Sequence, residues 1–271
     1  MFTPQYYYAP LRLGTQTNFN PVVPPELAQY FRVAERVSRY NFTENQANFV
    51  FQDNVAVHTT RLVNYLRNIE LPSFFDREKI ERMLWLHDLP EAIVNEERGS
   101  DYVTHEKNAD ASLEELQDSS EENVAKDMFS PEDFRLFEET EQSKKMIKDA
   151  DWSNIVEYRD GICAKMIDWL DGRNKFTHVI TEWIGHDDFL TNPTLPPLGT
   201  FDLCMLQSYQ VWMESFSRID DVAFRDFMLR FIHDEIYDFH RLRWDPVIER
   251  VSPEIQSLYE IFVQSGENHR R

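Results

Sequence analysis

The chain has 271 residues and a formal net charge of −20 at pH 7, and 42% of its residues are hydrophobic. This composition supports a folded core and excludes an intrinsically disordered chain, while the negative charge makes duplex nucleic acid and anionic membranes poor partners. The 7 glycines lie too far apart for a dinucleotide fingerprint or a phosphate-binding loop, so both are excluded.

Cysteine content and hydropathy indicate where the protein works. Cys163 and Cys204 are far apart and form no Cys-x-x-Cys pair, which argues against a thiolate zinc site or a disulfide framework. No apolar run reaches the length of about 18 residues that a membrane span needs, and the N-terminus shows no signal-peptide pattern. We therefore expect a soluble, cytoplasmic protein.

The elements predicted along the chain are helices, and the fold class expected is all-α. Residues 1–25 hold five of the 13 prolines and three consecutive tyrosines, which favours an extended N-terminal arm. From Glu26 onward apolar residues recur at spacings of three and four, which is typical of amphipathic helices. We expect a helical domain over 26–190 and a C-terminal helical extension over 191–271 that packs on it.

Several helix starts are marked by capping residues. Asp76 precedes an apolar helical stripe, and Ser130 and Ser252 are each followed by proline and an acidic residue. Pro90 disfavours helical geometry at Leu89, so the helix before it should end near that point.

Three apolar helix stripes carry residues of the types that bind metals. His58 lies between Val55 and Leu62, and His87, which is followed by Asp88, lies three residues after Leu84. Asp151 lies between Ile147 and Ile155. A buried carboxylate is costly unless it is paired or binds a cation. The pattern therefore predicts that His58, His87, Asp88 and Asp151 converge on one divalent metal ion.

This order of residues resembles the HD-domain metal-dependent phosphohydrolases. The segment from His87 to Val94 is similar to that of family members that act as 5′-deoxynucleotidases. Lys148-x-x-Asp151 resembles the family's lysine and aspartate on the helix that supplies the last ligand. The resemblance covers residues 30–175 and implies an HD-type helical core. The pairs His186-Asp187 and His233-Asp234 lack a comparable downstream aspartate and are less favoured.

The resemblance also implies roles for residues near the predicted metal. Glu91 and Glu96 would assist proton transfer, with Glu97 competing for the second role. Arg39 and Tyr40 resemble the pair that nucleotidases place against phosphate and base, with Arg36 as a substitute for the arginine. Two further cations lie three residues from predicted ligands and are candidates for substrate binding; they are Arg61 and Lys148.

The function expected is hydrolysis of a phosphate ester with the help of one divalent ion, which could be Mn, Co, Fe, Zn, Ni or Mg. The substrate would be a nucleotide or another phosphorylated small molecule, with a (deoxy)nucleoside 5′-monophosphate favoured. The alternatives are a nucleoside triphosphate or signalling nucleotide and, from another class, a non-catalytic helical binding module stabilised by metal. A homodimer is compatible with the sequence.

Overall fold

The structure is a computed structural model, and it describes residues 22–39, 54–97, 99, 111–185 and 209–269. In these ranges the chain is mostly helical, and its β-structure is limited to one isolated bridge between Ser38 and Asn54. The predicted all-α class is therefore confirmed for the described residues. The predicted arm over 1–25 lies outside them, apart from its last four residues.

The helices are named here in chain order. They are α1 (Ala28–Ala34), α2 (Val55–Asn68), α3 (Arg77–Leu86), α4 (Leu89–Val94), α5 (Ala111–Met128), α6 (Pro131–Asp149), α7 (Ile155–Gly185), α8 (209–217), α9 (Val222–Ile232), α10 (Phe239–Trp244) and α11 (Pro253–His269). A π-helical turn, His233–Asp238, joins α9 to α10. No helix of the described ranges combines the length and hydrophobicity needed to cross a bilayer.

Capping side chains start the helices where the sequence predicts. The carboxylate of Asp76 accepts a hydrogen bond from the backbone N–H of Lys79 at 3.1 Å, and the Ser130 hydroxyl accepts one from Asp133 at 3.1 Å. Both bonds satisfy amide groups that the first turn of a helix leaves without a partner. The helix α3 ends at Leu86, just before the segment that contains Pro90. The predicted helix starts and the predicted end of α3 are confirmed. The predicted non-helical geometry at Leu89 is wrong, because Leu89 begins α4 and a proline is tolerated in the first turn of a helix.

The long helix α7 runs through the middle of the described structure. Its 31 residues span about 46 Å at the usual helical rise. Helix α6 packs closely along its first half, where a Cβ atom on Gly161 would collide with the hydroxyl of Ser143. The inward face of α7 is apolar at Ile162 and Leu170, and it also carries two buried aspartates, Asp168 and Asp171.

One apolar cluster extends from the N-terminal helices into the C-terminal region. Tyr209, Phe216 and Phe224 are fully buried in the same cluster as Leu62 and Ile80. Side chains of the described C-terminal residues, from 209 onward, therefore share a core with the helices that carry the metal-type residues.

Candidate metal centre

Four ligand-type side chains meet in the interior of the structure. His58 lies on α2, His87 and Asp88 lie in the turn between α3 and α4, and Asp168 lies on α7. All four residues are buried, and one potential ligand atom from each lies within 4.8 Å of the others. Three separate helical segments thus supply one compact group.

The distances within this group suit a single ion. Nε2 of His58 lies 3.0 Å from Oδ1 of Asp168 and 3.5 Å from Oδ2 of Asp88. Nε2 of His87 lies 3.4 Å from Nε2 of His58 and 3.1 Å from Oδ1 of Asp88. Ligands bonded at about 2.0–2.2 Å to one ion lie roughly 3–4 Å from one another in tetrahedral or octahedral shells. The residues present therefore fit a divalent metal.

The turn after α3 orients His87. Its backbone N–H still bonds to the carbonyl of Met83 at 3.0 Å, while the side-chain Nδ1 lies 2.8 Å from the carbonyl oxygen of Leu84. A carbonyl can only accept, so Nδ1 must carry the proton in the neutral ring. The lone pair is then on Nε2, which faces the other ligand atoms.

A second pair of side chains orients His58 from behind. Its Nδ1 lies 2.8 Å from Oδ2 of Asp171, a residue with no solvent exposure. Arg61 donates to the same carboxylate from two nitrogens, one of them at 2.7 Å. A carboxylate that accepts the outer proton of a ligating imidazole fixes the tautomer and orientation of the ring. Asp171 and Arg61 therefore leave Nε2 of His58 available to a metal.

The charges at the centre are paired. Arg39 donates to Oδ2 of Asp88 at 3.0 Å, Nζ of Lys165 lies 2.7 Å from Oδ2 of Asp168, and Arg61 pairs with Asp171. Burial raises the pKa of these carboxyl groups, but neighbouring groups outweigh it and hold each pKa well below its usual range. For Asp88 these groups are His87 and then Arg39; for Asp168 they are Lys165 and the two histidines, and for Asp171 they are Arg61 and then His58. The three carboxylates are therefore ionised at neutral pH and ready to bind a cation.

Asp151 is not part of this group, so its predicted inward position is wrong. The sequence prediction assumed that one helical stripe continues from Ile147 to Ile155. In the structure α6 ends at Asp149, because Ala150 adopts a left-handed conformation with φ of 52°. Asp151 is exposed and accepts a hydrogen bond from the backbone of Ser153 at 3.1 Å. Asp168 lies in the buried group instead.

A sequence signal for Asp168 was present. Lys165-x-x-Asp168 repeats the lysine–aspartate spacing of Lys148-x-x-Asp151, and it lies in the apolar run between Ile162 and Leu170. Asp171 follows at the next helical spacing. An acidic residue within an apolar stretch of helix is predicted to be buried. Because a buried carboxylate is costly unless it is paired or binds a cation, such a residue is a candidate metal ligand.

The predicted proton-transfer residues lie on and just after α4. Glu91 is half-buried in the first turn of α4 and accepts a hydrogen bond from Nε2 of Gln117 at 2.9 Å. Glu96 and Glu97 are both exposed, and Glu96 forms an ion pair with Arg36. Arg36 therefore pairs with an exposed carboxylate, whereas Arg39 contacts a carboxylate of the centre.

The predicted substrate-binding residues are separated by the structure. Arg39 lies at the centre, where it contacts Asp88, and Tyr40 is outside the described residues. Arg61 is buried behind His58 rather than facing the ligand atoms. Lys148 is exposed in the last turn of α6, where it lines a groove between α5 and α6. Lys165, and not Lys148, lies beside the aspartate of the candidate centre.

Of the two less favoured His-Asp pairs, His186-Asp187 lies outside the described residues. His233 is buried in the π-helical turn, where its Nδ1 lies 2.8 Å from the hydroxyl oxygen of Tyr209, and Asp234 is exposed. The second pair is thus a core histidine followed by a surface aspartate.

Metal binding is expected to release a proton. Burial lowers the pKa of His87, but the carboxylates of Asp88 and Asp168 outweigh it and raise this pKa to about 10. The metal-free ring is therefore protonated at neutral pH, and a metal must displace that proton. Affinity should rise about tenfold per pH unit between pH 6 and 8. Titration calorimetry in buffers of different ionisation enthalpy measures the released proton, and an affinity independent of pH would contradict this prediction.

Comparisons of the chain with protein-family models, with curated protein sequences and with solved structures find no match.

Proposed function

We propose that the protein is a metal-dependent phosphohydrolase whose substrate is a small phosphate monoester, with a nucleoside 5′-monophosphate favoured. The observation that carries the proposal is that two cationic side chains, Arg39 and Lys165, contact carboxylates of the candidate metal centre. Metal ligands alone would suit a structural ion, whereas metal ligands surrounded by cations suit a bound anion as well.

Charge balance favours a dianion. Three cations, Arg39, Lys165 and Arg61, pair with the three carboxylates of Asp88, Asp168 and Asp171, so these charges sum to zero when both imidazoles are neutral. A divalent ion would add two positive charges to a buried site, which is costly without compensating negative charge. A phosphate monoester carries close to two negative charges at neutral pH. A triphosphate would bring more negative charge than these groups balance.

The side chains of the centre would have three roles, which are metal binding, phosphate binding and proton transfer. His58, His87, Asp88 and Asp168 would hold the ion, which when bound supplies Lewis-acid polarisation and a more acidic water. Arg39 contacts the carboxylate of Asp88, and Lys165 contacts that of Asp168. Both cations would neutralise oxygens of the bound phosphate. Glu91, within one helical turn of Asp88, would take and return a proton.

The proposal is tested by measuring metal content and phosphate release on the same protein. We expect close to one equivalent of a transition metal after purification in the presence of metal. We also expect phosphate release from nucleoside monophosphates that requires Mn²⁺, Co²⁺ or Mg²⁺ and exceeds the release from triphosphates.

Each contrary result has a distinct meaning. Bound metal without turnover on any phosphorylated compound would favour the non-catalytic, metal-stabilised module. Faster turnover of nucleoside triphosphates would move the substrate class to the alternative of a triphosphate or signalling nucleotide. A protein that neither binds nor responds to divalent metals would contradict the proposal as a whole.

A further inference from the structure

A buried carboxylate from the C-terminal region lies between the two helices that carry His58 and Asp168. Glu235 belongs to the π-helical turn and is 7% exposed, whereas its neighbour Asp234 is exposed. A π-helical turn holds an extra residue, and such turns occur frequently at functional sites. Here the turn accompanies a carboxylate that points into the core.

Glu235 contacts both α2 and α7. Its Oε1 accepts a hydrogen bond from the Tyr65 hydroxyl at 2.6 Å, and its Oε2 accepts a longer one from Nδ2 of Asn174 at 3.4 Å. Burial and the charge of Glu235 raise the pKa of Tyr65 far above its usual range, so the phenol keeps its proton and donates. The carboxylate thereby joins the two helices through side chains that are themselves buried.

The same two helices also meet at the metal centre. His58 of α2 contacts Asp168 and Asp171 of α7 at 3.0 and 2.8 Å. Tyr65 lies seven residues after His58, and Asn174 lies six residues after Asp168, so they are about 10.5 Å and about 9 Å further along their helices. Contacts at one place, such as those of His58 and Arg61 with Asp171, leave two helices free to pivot about that place, whereas a second place of contact at this separation fixes the angle between them.

We infer that Glu235 is a positioning residue for the metal centre, acting by holding α2 against α7 so that His58 and Asp168 stay at ligand distance. This inference rests on the metal centre of the proposed function, and it assigns the C-terminal region a part in that centre. Glu235 does not touch the ligand atoms. By holding the helices together, Glu235 lowers the free energy needed to bring the ligand atoms to their binding positions. Without it, that free energy would be subtracted from the metal's binding free energy.

The test compares the affinity for Co²⁺ alone across four variants of the full chain. Glu235→Leu removes both hydrogen bonds, and Tyr65→Phe removes only the phenol oxygen. Glu235→Gln keeps an acceptor for Tyr65, and Asn174 can turn its amide to present Oδ1, which has no hydrogen-bond partner among the described residues. Tyr237→Phe is the matched control, because the Tyr237 hydroxyl donates to the Val263 carbonyl within the C-terminal region.

We expect Glu235→Leu to weaken Co²⁺ binding about tenfold or more, the lower end of what supporting residues of metal sites contribute. Tyr65→Phe should weaken it several-fold, and Glu235→Gln should restore most of the affinity. Tyr237→Phe should lower the melting temperature of the metal-free protein without changing the affinity for Co²⁺. The melting temperature separates a loss of positioning from a general loss of stability.

Two results would overturn the inference. If wild-type protein binds Co²⁺ and Tyr65→Phe binds it equally well, Glu235 is a structural residue and the metal centre stands without it. If wild-type protein binds no divalent ion at all, the metal centre itself is absent, and both the proposed function and this inference fail. Because Tyr65→Phe is a small change, it decides the question even if Glu235→Leu does not fold.

Discussion

Asp168→Asn is expected to abolish tight metal binding, whereas Asp151→Asn is expected to leave it unchanged. Asp168 is buried, and its Oδ1 lies 3.0 Å from Nε2 of His58 and 3.7 Å from Nε2 of His87. An asparagine there offers a neutral oxygen and leaves Lys165 without its counter-charge. Since even supporting residues contribute 10–100-fold to metal affinity, loss of a direct carboxylate ligand should exceed about 100-fold.

The two variants form a matched pair, because each replaces one carboxylate by an amide of the same size. Equilibrium dialysis against Mn²⁺ or Co²⁺, followed by metal analysis, measures both affinities, and phosphate release measures the consequence for turnover. Asp151 is exposed and contacts Ser153, so its replacement should affect neither measurement. A loss of metal in Asp151→Asn with retention in Asp168→Asn would reverse the assignment made by the structure.

Three of the four residues of the candidate metal centre could be predicted from the sequence because each lies in, or directly after, a regular apolar helix stripe. His58 falls within the stripe of α2, and His87 extends the stripe of α3 by one turn. In both cases the spacing from neighbouring apolar residues correctly indicates the buried side. The helix capped by Asp76 and the helix beginning at Pro131 are predicted with the same ease, since capping depends on residues adjacent in sequence.

The fourth residue of the candidate centre, Asp168, shows the limit of such patterns. Spacing from Ile147 to Ile155 matches a helix, but the left-handed conformation of Ala150 interrupts it, and alanine carries no sequence signal for that conformation. Lys-x-x-Asp occurs three times in the sequence, at 107–110, 148–151 and 165–168, and the choice among the copies depends on which aspartate faces His58, a contact between residues 110 positions apart. The contact between Tyr65 and Glu235 spans 170 positions and is equally invisible to local patterns.

The second large effect is expected from Glu91→Gln, which should retain the metal and lose most turnover. Glu91 lies three residues after Asp88, and its half-buried side chain is held by the 2.9 Å hydrogen bond from Gln117. An amide is nearly the same size and can keep one hydrogen bond to Gln117, but it cannot take up a proton. Loss of a group that transfers a proton in the transition state should lower kcat by about 10²–10⁴-fold.

Glu121→Gln is the control for this variant, because Gln117 also donates to Oε1 of Glu121, at 2.7 Å. It perturbs the same amide but leaves the carboxylate beside the metal ligands intact, so kcat should change by no more than about twofold. Metal content of both proteins should match that of wild type.

Glu96→Gln then distinguishes the two carboxylates implied by the sequence resemblance. The exposed Glu96 is paired with Arg36. A loss of kcat larger at Glu96 than at Glu91 would assign proton transfer to Glu96 instead.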